Sequence, residues 1–216
     1  MKLRFFPLQR VSYQQAEDLQ QRYARLMLDS KREKTISPDP ALFAFNIDPV
    51  YTSGRRQKGL IEDQLIEHYR AGGKAQFIET QRGGHVTFHG PGQLVMYPIF
   101  DLQAMHLRPR DYVCKLEQGV INLLGKYDIA AKRTKDTGVW TSDNTKICSI
   151  GVHIRRSVTT HGIGLNVSTN KWWFDRIVAC NLPNAQMVTM NDYTPANIEV
   201  VSNQLYEIYR EIFQLE

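Results

Sequence analysis

No apolar run in this sequence approaches the about 18 residues that a bilayer-spanning helix needs, and the N-terminus lacks the apolar core of a secretory signal. A soluble, intracellular protein with no membrane partner is expected. Cysteine is scarce, and the three thiols, Cys114, Cys148 and Cys180, are odd in number and widely spaced. That pattern fits neither a disulfide framework nor a CxxC zinc site, so each thiol has to be judged singly. No Lys/Arg run interleaves with aromatics, which argues against a nucleic-acid partner despite a formal charge of +5 and a pI near 9.1. The basicity is compatible with acidic protein partners. No repeat and no flexible linker interrupts the 216 residues, so one domain, 1–216, is expected.

What is present is globular: 42% hydrophobic and 23% charged residues, enough to bury a sizeable core. Ser12 with Gln15 reads as a capping box ahead of Tyr13, Ala16, Leu19, Tyr23 and Leu26 at helical spacing. Ala41 to Ile47 reads as a buried strand running into a loop from Asp48 to Arg56, and Leu60 to Tyr69 as a helix stopped by Gly72 and Gly73. Short β-prone runs follow at 75–80, 86–89 and 94–100. Pro109 opens a helix with Val113, Leu116, Val120 and Leu123 on one stripe. The runs 138–141, 146–154 and 158–167 read as adjacent strands, and 172–178 as a short aromatic helix. Thr194 and Pro195 open a last helix packed through Ile198, Val201, Leu205, Ile208 and Ile212. The expected fold class is α/β in the α+β sense, a largely antiparallel or mixed sheet with flanking helices.

Residues 82 to 93 are denser in glycine and polar residues than a core strand tolerates. Two readings stay open on composition: a pair of tight turns around a hairpin, or a backbone cradle that lets a ligand approach closely. His85 and His89 flank a β-prone run with no third ligand in motif spacing, so no metal is expected.

The run Arg82-Gly83-Gly84-His85-Val86-Thr87-Phe88-His89 and on to Ile99 resembles the signature of the lipoyl(octanoyl) transferase family, as does Val50 to Arg56 upstream. Gly138-Val139-Trp140, Lys146 to Val152, Thr159 to Asn166 and Ala179-Cys180 follow in that family's order and spacing, from about Ser12 to Met190. Asn181 stands where glycine usually follows the cysteine, His85 where glutamine or aspartate is frequent, and Met96 where glycine is. The resemblance implies the fold of the biotin and lipoate protein ligase catalytic domain and no cofactor. It implies Cys180 as the acyl-accepting nucleophile and Lys146 as the lysine that lowers its pKa and shuttles the proton. It implies substrate binding by Arg82, Gly83, Gly84, His85, Val86, Thr87, Phe88 and His89, by Ser149, Ile150 and Gly151, and by Gly162, Ile163 and Gly164. The donor would be octanoyl-acyl carrier protein. The acceptor would be a lysine on the lipoyl domains of 2-oxoacid dehydrogenase E2 subunits or on the glycine-cleavage H protein.

The chemistry agrees with those residue types. Moving an acyl group from a thioester to an amine is downhill, so no ATP is required. A free thiol with a pKa near 8.5 is only a few per cent thiolate at pH 7 and needs a neighbouring cation. At about 4 Å and an effective dielectric of about 20, an ammonium attracts a thiolate by roughly 4 kcal/mol before desolvation, ample to lower the thiol by one or two pH units. Without the resemblance, Lys146 reads as a solvated lysine at a sheet end, and a lone cysteine as a buried core thiol. Cys148, on its alternating strand, fits the second description. Small residues at 151, 162 and 164 would leave room for an acyl chain, and His161 is open between positioning the site and satisfying the core. Rival readings are an ATP-dependent lipoate or biotin protein ligase, a cysteine acyl-hydrolase using His89 or His161, and a non-catalytic acyl-protein binding module. The wording FHGPGQLVMYPIFDL is closer to mitochondrial members, which places the protein in the matrix, with a bacterial cytoplasm as the alternative.

Overall fold

Ser12 accepts the Gln15 backbone N–H through its side chain while Gln15 reaches back to the Ser12 N–H, and this closed capping box starts α1 (Tyr13–Glu33). A computed structural model describes residues 1–177 and 185–216. Tyr13, Ala16, Tyr23 and Met27 form the buried stripe of α1, whereas Leu26 is 53% exposed and belongs to the outer face. Ahead of the helix, Arg4–Val11 forms strand β1, which the sequence pattern does not reveal: its polar residues face out along a sheet edge.

Ala41–Ile47 is β2, buried along its length. Its apolar residues run without alternation because both faces are covered. Leu42 and Ala44 enter a cluster with the helices α3 (Pro109–Gly125) and α4 (Ile198–Ile212), while Phe43 and Phe45 pack with α1. The expected loop 48–56 is instead strand β3 (Val50–Ser53) followed by a turn of 3-10 helix at Arg55–Gln57. β3 pairs in parallel with β4 (Gln76–Glu79) and antiparallel with β5 (Thr87–His89), a small sheet supported by α2 (Asp63–Arg70). Its polar Thr52 and Ser53, together with the Gly54 turn, made the segment read as irregular.

The main sheet is mixed. Among the described residues its order is β1, β2, β6 (Gln93–Ile99), β9 (Val158–Asn166), β8 (Thr145–Arg155), with β7 (Val139–Trp140) and β10 (Gln186–Met187) both against β8. β1–β2 and β8–β10 are parallel, and the rest antiparallel. α4 begins later than its Thr194-Pro195 signal suggests. Asn197 is the cap, its side chain accepting the Glu199 and Val200 N–H groups.

Candidate active site

The β8–β9 hairpin has a fixed register, Gly151 opposite Gly162 and Ser149 opposite Gly164, which brings two expected substrate-binding triplets side by side. Residues 82–86 cross over them. Gly83 N–H donates to Val152 O at 3.0 Å, and a Cβ on Gly151 would lie 2.9 Å from Gly83 O. A Cβ on Gly162 would lie 2.1 Å from Met96 O. Glycine at these two positions therefore serves close backbone packing, where the sequence suggested room for a chain.

The resulting cavity, about 330 Å³, falls at the lower end of the range for small-molecule sites. It is lined by Arg82, Gly84, His85, Val86, Thr87 and His89, by Lys146, by Ser149, Ile150 and Gly151, and by Gly162, Ile163 and Gly164. Gly83 and Phe88 do not line it. Phe88 lies behind the small sheet, stacked on Trp173 at 4.8 Å, where Tyr51 Oη also donates to Trp173 O at 2.5 Å. These contacts hold the 3-10 turn Lys171–Arg176, which leads to Ile177 on the cavity wall. Cys180 follows and lies outside the described residues, as does Val178, the last residue of the expected aromatic helix.

Lys146 is 2% exposed, so the reading of a solvated surface lysine is overturned. Its Nζ donates to Thr137 O at 2.8 Å and lies 5.0 Å from the Trp140 ring centre, and Gly138 passes close beside it. β7 and β10 bracket β8 at this residue, so the ammonium is buried at the sheet edge and still reaches the cavity.

Arg82 is buried, and among the described residues no carboxylate stands in its hydrogen-bond shell. Its guanidinium donates to Thr52 O and Oγ1, Gly83 O and His85 O, tying the loop to β3. Burial lowers its pKa to about 10, so it stays a cation at neutral pH. His89 is pushed down to about 4 by burial, against the opposing effect of its bond to Gln93. Gln93 Nε2 donates to Phe88 O and Asn166 Oδ1, which leaves Oε1 to accept from His89 Nδ1 at 2.6 Å. His89 Nε2 is then an acceptor. His161 is of the opposite tautomer. Gln20 Oε1 accepts the His161 backbone N–H, so Gln20 Nε2 faces His161 Nδ1, leaving Nε2 protonated and without a partner among the described residues. Burial, then Arg82, lowers His161 to about 3, and its φ of +57° is unusual for a non-glycine residue. A neutral acceptor and a neutral donor thus line one cavity. Cys148 is fully buried and its thiol is pushed up to about 12 by burial, the behaviour of a core residue.

Tyr13, Tyr97, Arg56, Thr137 and Met187 also line the cavity and were not singled out from the sequence. Tyr13 sat in the α1 stripe and Tyr97 in an apolar strand, where an aromatic reads as core. Among the described residues no group of three His, Cys, Asp or Glu is placed to hold a metal, and no helix is long and apolar enough to cross a membrane.

Residues 12–209 match the lipoyl protein ligase A/B catalytic domain. The chain belongs to that family. This member is 41% identical over 184 residues to a probable octanoyltransferase of Schizosaccharomyces pombe, covering 84% of this chain and 81% of that one. It is 45% identical over 177 residues to the mitochondrial octanoyl-acyl-carrier-protein:protein N-octanoyltransferase of Danio rerio, covering 81% and 75%. An octanoyltransferase of Caldanaerobacter subterraneus is 39% identical over 188 residues, covering 86% and 80%. The family member also shares the fold of lipoate-protein ligase A bound with ATP (TM-score 0.73, 14% identity, 100% of this chain and 87% of that one). The biotin protein ligase of Aquifex aeolicus, with biotin and ATP, is a more distant match (TM-score 0.54, 13% identity, 99% and 70%). The fold class expected from the resemblance is the one observed.

Proposed function

We propose that this chain is an acyltransferase that moves an octanoyl group from octanoyl-acyl carrier protein through a Cys180 thioester to a lysine of a lipoyl-domain protein, the first step of protein lipoylation. The observation that carries this reading is Lys146, a buried ammonium on the wall of a cavity lined by Arg82, Gly84 to Thr87 and His89 and by the triplets 149–151 and 162–164. In the proposed sequence the Cys180 thiolate attacks the carrier thioester, and the carrier thiolate leaves with a proton from the Lys146 ammonium. The acceptor lysine then attacks the Cys180 thioester and gives its proton to the Lys146 amine. The amide forms, the Cys180 thiolate departs, and the starting ion pair is restored. His89 and His161, neutral in the working range, supply hydrogen bonds and take no part in these transfers.

Acceptors are proposed to be 2-oxoacid dehydrogenase E2 lipoyl domains and the glycine-cleavage H protein. The compartment is proposed to be the mitochondrial matrix, supported by the mitochondrial relatives, with the bacterial cytoplasm as the alternative supported by the bacterial one. We read residues 1–216 as one catalytic domain. The test is octanoyl transfer from the carrier thioester to a lipoyl domain without nucleotide. Transfer that is lost in Cys180→Ser supports the reading. Product formed only from free octanoate and ATP would make the protein a ligase, and release of free octanoate with acceptor present would make it a hydrolase.

A further inference from the structure

A carboxylate on the buried face of a helix is costly unless it is matched, and α3 carries one: Glu117, 6% exposed, beside Leu116 and Val120. Its two oxygens serve different ends of the segment before β7. Oε2 pairs with Arg133 Nε at 3.2 Å, while Arg133 also donates to Cys114 O and Gln118 Oε1 on the same helix. Oε1 accepts the Gly138 N–H at 3.0 Å. That N–H belongs to the peptide unit whose carbonyl is Thr137 O, and Thr137 O accepts from Lys146 Nζ at 2.8 Å. The described chain has no cis peptide bond, so the N–H and C=O of this unit point opposite ways, one to the carboxylate and one to the ammonium.

We propose that Glu117 is a positioning residue for Lys146, acting through the 137–138 peptide as a relay between carboxylate and ammonium. An anion accepting the N–H polarises the peptide and makes its carbonyl a stronger acceptor, so the two hydrogen bonds reinforce each other. Arg133 fixes the carboxylate, and the carboxylate fixes the peptide plane. The peptide plane then sets where the ammonium stands against the cavity. Among the described residues, the titratable groups on the elements packed here include Cys148 on its own strand and, on the adjoining loop, Asp136 and Lys135, which line the same cavity as Lys146. Trp140 presents its ring face to the ammonium. The inference rests on the proposed role of Lys146 in acyl transfer.

Glu117→Gln keeps an oxygen for the Gly138 N–H and removes the charge, which separates relay from scaffold. The expected result is a melting temperature close to that of the parent, a kcat/KM for octanoyl transfer lower by at least about tenfold through kcat rather than KM, and an alkaline limb that no longer coincides with the parental one. In a Lys146→Ala background the same substitution is expected to cost nothing further. A Glu117→Gln protein with parental kcat/KM and an unmoved alkaline limb, in a series where Lys146→Ala is inactive, overturns this inference and leaves the transfer mechanism standing. Full activity of Lys146→Ala would instead remove the mechanism itself. A second variant, Glu117→Ala, is expected to lose stability as well, and a parental pH profile in its folded fraction would equally count against the relay.

Discussion

Gly138→Ala is the substitution whose cost can be worked from the structure. A Cβ at residue 138 would stand 2.5 Å from Lys146 Cε, 2.8 Å from Nζ and 2.6 Å from the backbone oxygen of Cys148. The lysine can swing away, but the oxygen is backbone, on Cys148 where it pairs with Val139 of β7, and cannot. The glycine φ of +129° is in addition a region that L side chains rarely adopt. Backbone strain of about 1–3 kcal/mol and overpacking of about 1–3 kcal/mol give a destabilisation of about 2–6 kcal/mol. For any ammonium–thiolate pair, widening the separation from about 4 to about 6 Å weakens the attraction by about 1.4 kcal/mol at an effective dielectric of about 20, equivalent to about one pH unit. The acid limb of kcat/KM for octanoyl transfer is therefore expected to move up by about one unit, together with a lowered urea midpoint. The assay is transfer from octanoyl-acyl carrier protein across pH 5 to 9 on the folded protein. A Gly138→Ala protein with parental stability and a parental acid limb would refute the reasoning.

Cys148→Ala is expected to retain transfer activity at a stability cost of about 1 kcal/mol, and alkylating reagents should label Cys148 last in the folded protein, since its thiol is buried and pushed up to about 12. Inactivity of a folded Cys148→Ala would contradict its assignment to the core. Arg82→Lys cannot reproduce the planar fork that meets Thr52, Gly83 and His85, and a loss of about 3–5 kcal/mol by denaturant titration is expected. A midpoint unchanged by that substitution would show that the fork is dispensable. His89 and His161 are neutral in the fold and protonate near 6.5 when unfolded, so the unfolded chain binds more protons and stability falls as pH drops from about 6.5 toward about 4 and about 3 respectively. Each contributes a slope of up to about 1.4 kcal/mol per pH unit. In His161→Asn, whose side chain tolerates the left-handed backbone, that pH dependence between 6.5 and 4 should lessen.

The helices and central strands were legible because their signals are local: the Ser12–Gln15 box, Pro109 ahead of an apolar stripe, and the apolar run 41–47. β1 and β3 were not, since β1 carries edge-strand polarity and β3 ends in Thr52 and Ser53, whose burial depends on partners far along the chain. The cavity side chains of the glycine-rich segments could be named from the resemblance. Their arrangement could not, because Gly151 and Gly162 are small for the sake of backbone contacts that only the crossing 82–86 segment and the β6–β9 pairing create. Phe88 illustrates the converse. Strand alternation turns it away from its cavity-lining neighbours Thr87 and His89 and into the aromatic cluster beneath. Lys146 looked solvated because a strand end usually is, and what buries it is the 137–140 segment folded over by Glu117. Glu117 itself carried a signal, a lone carboxylate between Leu116 and Val120 on an apolar stripe.

The account is tested most directly by mixing the protein with octanoyl-acyl carrier protein in the absence of acceptor and nucleotide, mapping the adduct by peptide mass spectrometry, and then adding a lipoyl domain. One octanoyl group on the peptide containing Cys180, passing to the lipoyl-domain lysine on the chase, is the predicted result. Acyl transfer proceeding at the parental rate in Cys180→Ala, or an adduct that never moves to the acceptor, would contradict it.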